Sequence, residues 1–369
     1  MRPQKILTIL GARPQFIKAS AVSAALADST RLQEVLVHTG QHFDPNMSEV
    51  FFDELGMRTP DYCCNIHGGA HGAMTGRMLI ELEQILLAER PAAVLVYGDT
   101  NSTLAGALGA VKLGIPVAHV EAGLRSFNMS MPEEINRILT DRVSRWLFTP
   151  TVVATSHLVR EGVDPTAIDM VGDVMLDVAR LQGGRRHPDA GLLGELARQH
   201  GIKAGQYCLA TVHRAESTDD PTRLVTIVDA LSALAMELPV ILPLHPRTRH
   251  TLRRLGHLDR LGAAVLITDP LGYLDMVQLE KYAALIATDS GGVQKEAFFH
   301  QVPCVTMRGE TEWTELVAAG WNRLAPPDNA NTLLSAMRAA IGTRGRDISP
   351  YGNGDAAEKI VQCLERDLD

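Results

Sequence analysis

The sequence predicts an α/β fold in two domains, each a parallel sheet with helices crossing over it. Three observations carry that expectation. At 369 residues the chain exceeds the size at which one hydrophobic core stops growing, so two domains are the default. Short β-branched and aliphatic runs alternate with helical patterns along its length. The same alternation restarts after a polar stretch, Gly183-Gly184-Arg185-Arg186-His187-Pro188, which reads as a surface linker.

In the first half, Ile6 to Leu10, Val35 to Thr39, Ala93 to Tyr97 and Val117 to Val120 read as strands, each followed by a polar turn and a helix. The second half repeats the pattern with Tyr207 to Val212, Val240 to Leu244, Ala263 to Ile267, Leu285 to Thr288 and Cys304 to Met307. Two Rossmann-like sheets follow. The boundary is placed near Asp173, giving domains of residues 1–173 and 174–354, and an amphipathic helix closes the chain from about Asp355.

Composition narrows the function. Hydrophobic residues at 46% and charged residues at 21% give a globular balance, and a net charge of -8 argues against a nucleic-acid partner while leaving room for local cations around a small anion. The five cysteines are scattered, with neither CxxC nor Cys/His zinc spacing, so neither a metal centre nor a disulfide framework is expected. Met1 to Leu10 reads as a first strand rather than a signal segment. No apolar run reaches the roughly 18 residues of a membrane span, since even Leu224 to Leu244 is broken by Asp229, Glu237 and two prolines. A cytoplasmic enzyme is expected.

In open parallel sheets ligands gather beyond the carboxyl ends of the strands. The first such turn here is Gly11-Ala12-Arg13-Pro14-Gln15-Phe16-Ile17-Lys18, where Pro14 suits a first helical turn and Arg13 and Lys18 offer positive charge. It is neither GxGxxG nor a P-loop. Asp99 in Tyr97-Gly98-Asp99-Thr100 and Glu121 in Glu121-Ala122-Gly123-Leu124-Arg125 end two successive strands. As purely structural residues, Asp99 would cap the helix beginning near Ser102, and Glu121 would pair with Arg125. A third acid, Glu133, opens the helix Pro132-Glu133-Glu134-Ile135-Asn136-Arg137, in which Glu134 is expected to be solvated.

The second half places His213 after one strand and His245, in His245-Pro246-Arg247, after the next. Either one is also compatible with an ordinary hydrogen-bonded role. Thr288-Asp289-Ser290-Gly291-Gly292-Val293-Gln294-Lys295-Glu296 reads as strand, small-residue turn and helix, whose free amides would hold a diphosphate, with Glu296 placed for a ribose. Arg308, Glu310 and Glu312 follow.

Taken together, Gly11 to Lys18, Gly98-Asp99-Thr100, Val120 to Arg125, Pro132-Glu133-Glu134, His213-Arg214 and Asp289 to Gly292 with Glu296 resemble the non-hydrolysing UDP-N-acetylglucosamine 2-epimerases across nearly the whole chain. The resemblance implies a glycosyltransferase-B-like architecture, two Rossmann-like domains facing a cleft, with a C-terminal helix (355–369) returning to the first domain, and a homodimer. It implies that the second domain binds UDP, with Arg13, His213, Ser290, Gly291 and Gly292 around the diphosphate and Glu296 at the ribose. It further implies that Asp99, Glu121 and Glu133 face the sugar, supported by Lys18 and Arg137. His245 and Arg308 complete the expected substrate-binding set, and His213 counts with the three acids as catalytic.

The chemistry asks for such residues. The hydrogen on carbon 2 has no adjacent carbonyl, so the carbon 1 bond to UDP has to break first or together with proton loss. Oxocarbenium character acidifies that hydrogen, a carboxylate takes it, and a glycal plus UDP remain; re-addition inverts carbon 2. A positioned acid or base contributes about 10² to 10⁴-fold to such a step. Which acid removes and which returns the proton stays open at this level. Epimerases that oxidise the sugar need a nicotinamide, and without GxGxxG no cofactor is expected.

Some positions depart from the commonest family pattern. Trp313 stands where many members have arginine then proline, Gln15 replaces an acid, and Gln41-His42-Phe43-Asp44-Pro45 keeps only the start of a segment that in some relatives helps form a second UDP-sugar site. With Phe298-Phe299 and His245-Pro246-Arg247, these features resemble the branch acting on UDP-2,3-diacetamido-2,3-dideoxyglucuronate, which ranks second to UDP-N-acetylglucosamine as expected substrate. Beyond epimerisation stand a glycosyltransferase of the same architecture, which would need an acceptor groove, a hydrolysing epimerase and a silent UDP-sugar sensor.

Overall fold

A computed structural model of the chain describes residues 3–41, 52, 54–184 and 187–368. His42, Phe43, Asp44 and Pro45 of the expected second-site segment, Arg185 and Arg186 of the linker and Asp369 lie outside the described residues. The chain divides into two compact units, Met1–Val178 with Ser349–Asp369, and Ala179–Ile348. The division falls inside the helix Val174–Gly183, which begins just after Asp173.

The first unit carries a seven-stranded sheet in the order β3-β2-β1-β4-β5-β6-β7, with every pairing parallel. Its strands are β1 Gln4–Leu10, β2 Leu32–His38, β3 Tyr62–Cys63, β4 Ala93–Tyr97, β5 Val117–Val120, β6 Trp146–Thr149 and β7 Ile168–Met170. Leu7, Ile9, Val94, Val96 and Val117 pack against Met78, Leu82 and Leu86 of the helix His71–Glu89 and against Ala105 of the helix Asn101–Lys112. Each large aliphatic buried this way contributes about 1.5–3 kcal/mol. The strand order turns back between β1 and β4, the topological position beside which doubly wound sheets hold their ligands.

The second unit holds a six-stranded parallel sheet, β10-β9-β8-β11-β12-β13. These strands are β8 Cys208–Thr211, β9 Val240–Pro243, β10 Leu266–Thr268, β11 Leu285–Thr288, β12 Cys304–Thr306 and β13 Asn322–Leu324. Ala210, Leu242, Ala287 and Val305 pack under Leu224, Ile227 and Leu231 of the helix Pro221–Leu234 and under Leu333 and Met337 of the helix Ala330–Ala340. Here the reversal lies between β8 and β11.

The strand expected over Ala263 to Ile267 is corrected: Ala263 and Ala264 complete the helix Leu258–Ala264, because alanine favours helix, and the strand starts at Leu266. The short strands β3, β6, β7 and β13 had no expectation; runs of two to four residues carry too little periodicity to read. The C-terminal helix Ala356–Asp367 belongs to the first unit, where the Ala357 N–H donates to Asp177 Oδ1 (2.8 Å) and Trp146 Nε1 donates to Asp367 Oδ2 (2.9 Å). No helix among the described residues is long and apolar enough to cross a membrane, and all five cysteines are free thiols.

Candidate active site

At the first switch point a buried amide clips two turns together. Gln15 Oε1 accepts the N–H groups of Gly11 and Ala12 (2.9 and 3.0 Å), while Nε2 donates to the Tyr97 carbonyl and to Thr103 Oγ1 (both 2.9 Å). An acid here could not donate to that carbonyl, which gives the departure at Gln15 a structural role. Gly11 is required by close approach, since a Cβ would overlap Thr39 Oγ1 and Ser102 Oγ at 2.1 Å. The turn launches the helix Arg13–Ala27, with Arg13 half-buried at its start and Lys18 one turn on.

Lys18 Nζ is ion-paired with Glu121 Oε2, and Arg137 bridges Asp99 and Glu134. A Cβ on Gly98 would lie 3.6 Å from both Glu121 Oε2 and Lys18 Nζ, so the Asp99-bearing turn runs directly against that pair. Lys18, Asp99, Glu121 and Arg137 thus gather at the carboxyl edge of β1, β4 and β5. Both structural alternatives for the acids fail. The helix Asn101–Lys112 is capped by Thr100, whose hydroxyl accepts the Thr103 N–H at 3.2 Å, and Arg125 pairs with Asp141 and Glu161 rather than Glu121.

Glu121 occupies the left-handed region at φ 71°, unusual for a residue with a side chain. Its N–H and that of Ala122 both donate to the Phe148 carbonyl at 3.1 Å. Such a backbone costs about 1–3 kcal/mol and persists only where its surroundings impose it.

Glu133 is exposed on the first turn of the helix Pro132–Val143, with no ion-pair partner among the described residues. Glu134 reverses expectation. Far from solvated, it is buried at 1% exposure and accepts from Ser126 N, Ser126 Oγ and Phe127 N, each at 2.9 Å, besides pairing with Arg137. Burial pushes its carboxyl upward, but the bonds from Ser126, Phe127 and Arg137 outweigh it and hold the group below the usual carboxylate range. Helical spacing does not separate the two, since Glu133 shares a face with Asn136, Arg137 and Thr140 as Glu134 does with Arg137 and Asp141; what buries Glu134 is the Ser126–Phe127 turn that donates to it.

The second unit has an equivalent clip. Asp289, fully buried, accepts the N–H of His213 (3.0 Å) and of Arg214 (2.9 Å), tying the turn after β8 to the turn after β11. The His213 and His245 rings lie 6.1 Å apart between centroids. His245 is exposed and caps the helix Pro246–Arg254, its Nδ1 accepting the Arg247 N–H at 3.2 Å. Burial pushes the His213 imidazole below its ordinary value near 6.5, with His245 and Arg214 adding to the fall and Asp289 opposing it.

Ser290 precedes the helix Gly291–Phe299 without a side-chain capping bond, so the cap leaves the first-turn N–H groups at Gly291 and Gly292 for another acceptor. Arg214 faces this turn: a Cβ on Gly291 would sit 3.4 Å from its Nη2. Trp313 donates Nε1 to the Gly291 carbonyl (2.8 Å) under Lys295, 4.6 Å over its ring, so this departure braces the glycine turn itself. Glu296 is half-buried on the same helix, and Arg308 is buried with Nε on Glu216 (2.6 Å) and Nη1 on Glu312 (3.1 Å). Glu134, Asp141 and His119 drew no functional expectation. For the first two, spacing with Arg137 on one helix face was the available signal.

A family described as UDP-N-acetylglucosamine 2-epimerase matches residues 24–365. The chain is 54% identical to UDP-2,3-diacetamido-2,3-dideoxy-D-glucuronate 2-epimerase of Pseudomonas aeruginosa, covering 98% of this chain and 99% of the relative. It is 43% identical to UDP-N-acetylglucosamine 2-epimerase of Methanocaldococcus jannaschii, with 98% of each covered. The crystal structure of the Methanocaldococcus jannaschii UDP-GlcNAc 2-epimerase in complex with UDP-GlcNAc and UDP superposes with a TM-score of 0.82 at 41% identity, covering 98% of this chain and 99% of that one.

Proposed function

This chain belongs to the UDP-N-acetylglucosamine 2-epimerase family, and from that premise we propose that it interconverts UDP-N-acetylglucosamine and UDP-N-acetylmannosamine by eliminating UDP and re-adding it to a glycal. It is a UDP-sugar 2-epimerase, an isomerase. The observation that carries the mechanism is the gathering of Asp99, Glu121, Lys18 and Arg137 around Gly98.

Ser290, Gly291, Gly292, His213 and Arg13 hold the diphosphate as the carbon 1–oxygen bond breaks and its electron pair leaves on UDP. Glu296 takes the ribose, and His245 and Arg308 complete the substrate set. Asp99, Glu121 and Glu133 stabilise the oxocarbenium ion and move the carbon 2 proton, one carboxylate removing it to form the carbon 1–carbon 2 double bond and another returning it to the opposite face. Lys18 and Arg137 hold Glu121 and Asp99 in place. The reading includes a homodimer acting in the cytoplasm.

A second substrate, UDP-2,3-diacetamido-2,3-dideoxyglucuronate, is favoured by one specific observation, the 54% identity to an enzyme of that name. The two substrates share carbon 1, carbon 2 and UDP, so the same residues serve either.

Proton NMR of UDP-N-acetylglucosamine with the protein in deuterated water tests the reading. Deuterium at carbon 2 of both UDP-linked epimers is expected, and Glu121→Gln abolishes it while UDP still binds. Free sugar would point to hydrolysis, and an unchanged substrate moves the assay to the diacetamido-uronate.

A further inference from the structure

His119 lies in the middle of β5, fully buried, and takes no part in the mechanism above. Its Nε2 is 2.7 Å from the Gly98 carbonyl and its Nδ1 is 2.7 Å from Asp141 Oδ1. A carbonyl and a carboxylate accept, so the ring reaches both turns through its two nitrogens. Asp141 is itself buried at 2% exposure, and its Oδ2 accepts from the Gly123 N–H (3.1 Å) and from Arg125 Nη1 (2.7 Å). Burial raises its carboxyl, but the charges and bonds of His119 and Arg125 hold it below the usual range, which keeps it ionised.

The two ends of this network are the two turns that bear the acids. Gly98 immediately precedes Asp99. Gly123 closes the turn that begins with Glu121, and Glu121 and Gly123 sit at positive φ, 71° and 78°. We propose that the buried His119–Asp141 pair is a positioning device: it fixes the backbone of both acid-bearing turns at once and so sets where Asp99 and Glu121 present their carboxylates. The inference rests on those two acids carrying out the chemistry proposed above. It explains what imposes the left-handed backbone at Glu121, because the Gly123 N–H is drawn inward to Asp141 while the Glu121 and Ala122 N–H groups are drawn to Phe148.

Paired amides separate positioning from mere burial. In His119→Gln the side-chain amide reaches the Nε2 position and keeps the bond to Gly98. In His119→Asn it reaches only the Nδ1 position and keeps the bond to Asp141. Deuterium exchange at carbon 2 of the UDP-sugar and UDP binding are measured for wild type, both variants and Asp141→Asn. The expected result is a kcat about 10²-fold lower in His119→Asn and Asp141→Asn, the loss typical of displaced catalytic groups, with UDP affinity unchanged. His119→Gln, which releases the Glu121 turn instead of the Asp99 turn, also loses kcat at unchanged UDP affinity. If His119→Asn fails to fold, His119→Gln and Asp141→Asn carry the same test. Wild-type kcat throughout, or a UDP affinity that falls in step with kcat, would overturn the inference. A wild-type protein that exchanges no deuterium on either UDP-sugar would instead overturn the functional reading beneath it.

Discussion

Replacing Glu134 by glutamine or alanine separates two adjacent acids that look alike in the sequence. Glu134 is buried with three hydrogen bonds of 2.9 Å from Ser126 and Phe127 and an ion pair to Arg137, whereas Glu133 is exposed. In Glu134→Gln the amide oxygen can face Ser126 and Arg137, which leaves its NH2 against the Phe127 N–H. One hydrogen bond to a charged acceptor is lost and two donors meet, a cost of about 1.5–3 kcal/mol. Glu134→Ala strips all three bonds and a buried partner of Arg137, at about 3–5 kcal/mol. Thermal denaturation reads these as falls of about 2–4 °C per kcal/mol for a unit of 150–250 residues. Glu133→Gln stays within about 0.5 kcal/mol of wild type, as exposed substitutions do, while losing carbon 2 exchange. Wild-type melting of both Glu134 variants, or a Glu133→Gln protein as unstable as Glu134→Gln, would refute the reasoning.

Two further outcomes concern histidines. His213 has its imidazole pushed below its ordinary value near 6.5 in the free protein, so it is neutral at pH 7, and a bound diphosphate raises it again. Calorimetry of UDP binding near pH 6.5 in buffers of different ionisation enthalpy therefore shows proton uptake, UDP affinity rises as pH falls through the bound-state value, and His213→Asn removes its share of the uptake; equal uptake in that variant would contradict this. His300 is pushed down to about 4 by burial, with Lys281 adding to the shift, and its Nε2 is buried with no hydrogen-bond partner among the described residues. The unfolded chain then binds the extra proton, so the contribution is fully present above about pH 6.5 and is lost as pH falls toward 4, a total of about 3 kcal/mol. His300→Gln should flatten that part of the stability profile, measured by denaturant unfolding at stepped pH, and an unchanged slope would count against it.

The strands β1, β4, β5, β9 and β11 and the polar turns that follow them were legible because they rest on local pattern: a short aliphatic run, a glycine or proline, then a helix. That pattern also placed Lys18, Asp99, Glu121, His213 and Ser290 at sheet edges before any tertiary contact was known. The boundary of β10 escaped it because Ala263 and Ala264 suit a helix as well as they suit a strand. Expectations for Glu133 and Glu134 divided for a similar reason, since the first turn of a helix shows that acids are present without showing which way they face.

By itself the sequence determined two parallel sheets, their acid-bearing and glycine-bearing turns, and a resemblance specific enough to name the reaction. Tertiary structure decided the partners: Lys18 for Glu121, Arg137 for Asp99, Asp289 for the His213 turn, and the His119–Asp141 pair beneath both acids. The reason is distance along the chain. A strand or a helix start is written in neighbouring residues, but Lys18 meets Glu121 across 103 positions and Asp289 meets His213 across 76, and such pairs exist only once the sheet order has brought their strands side by side.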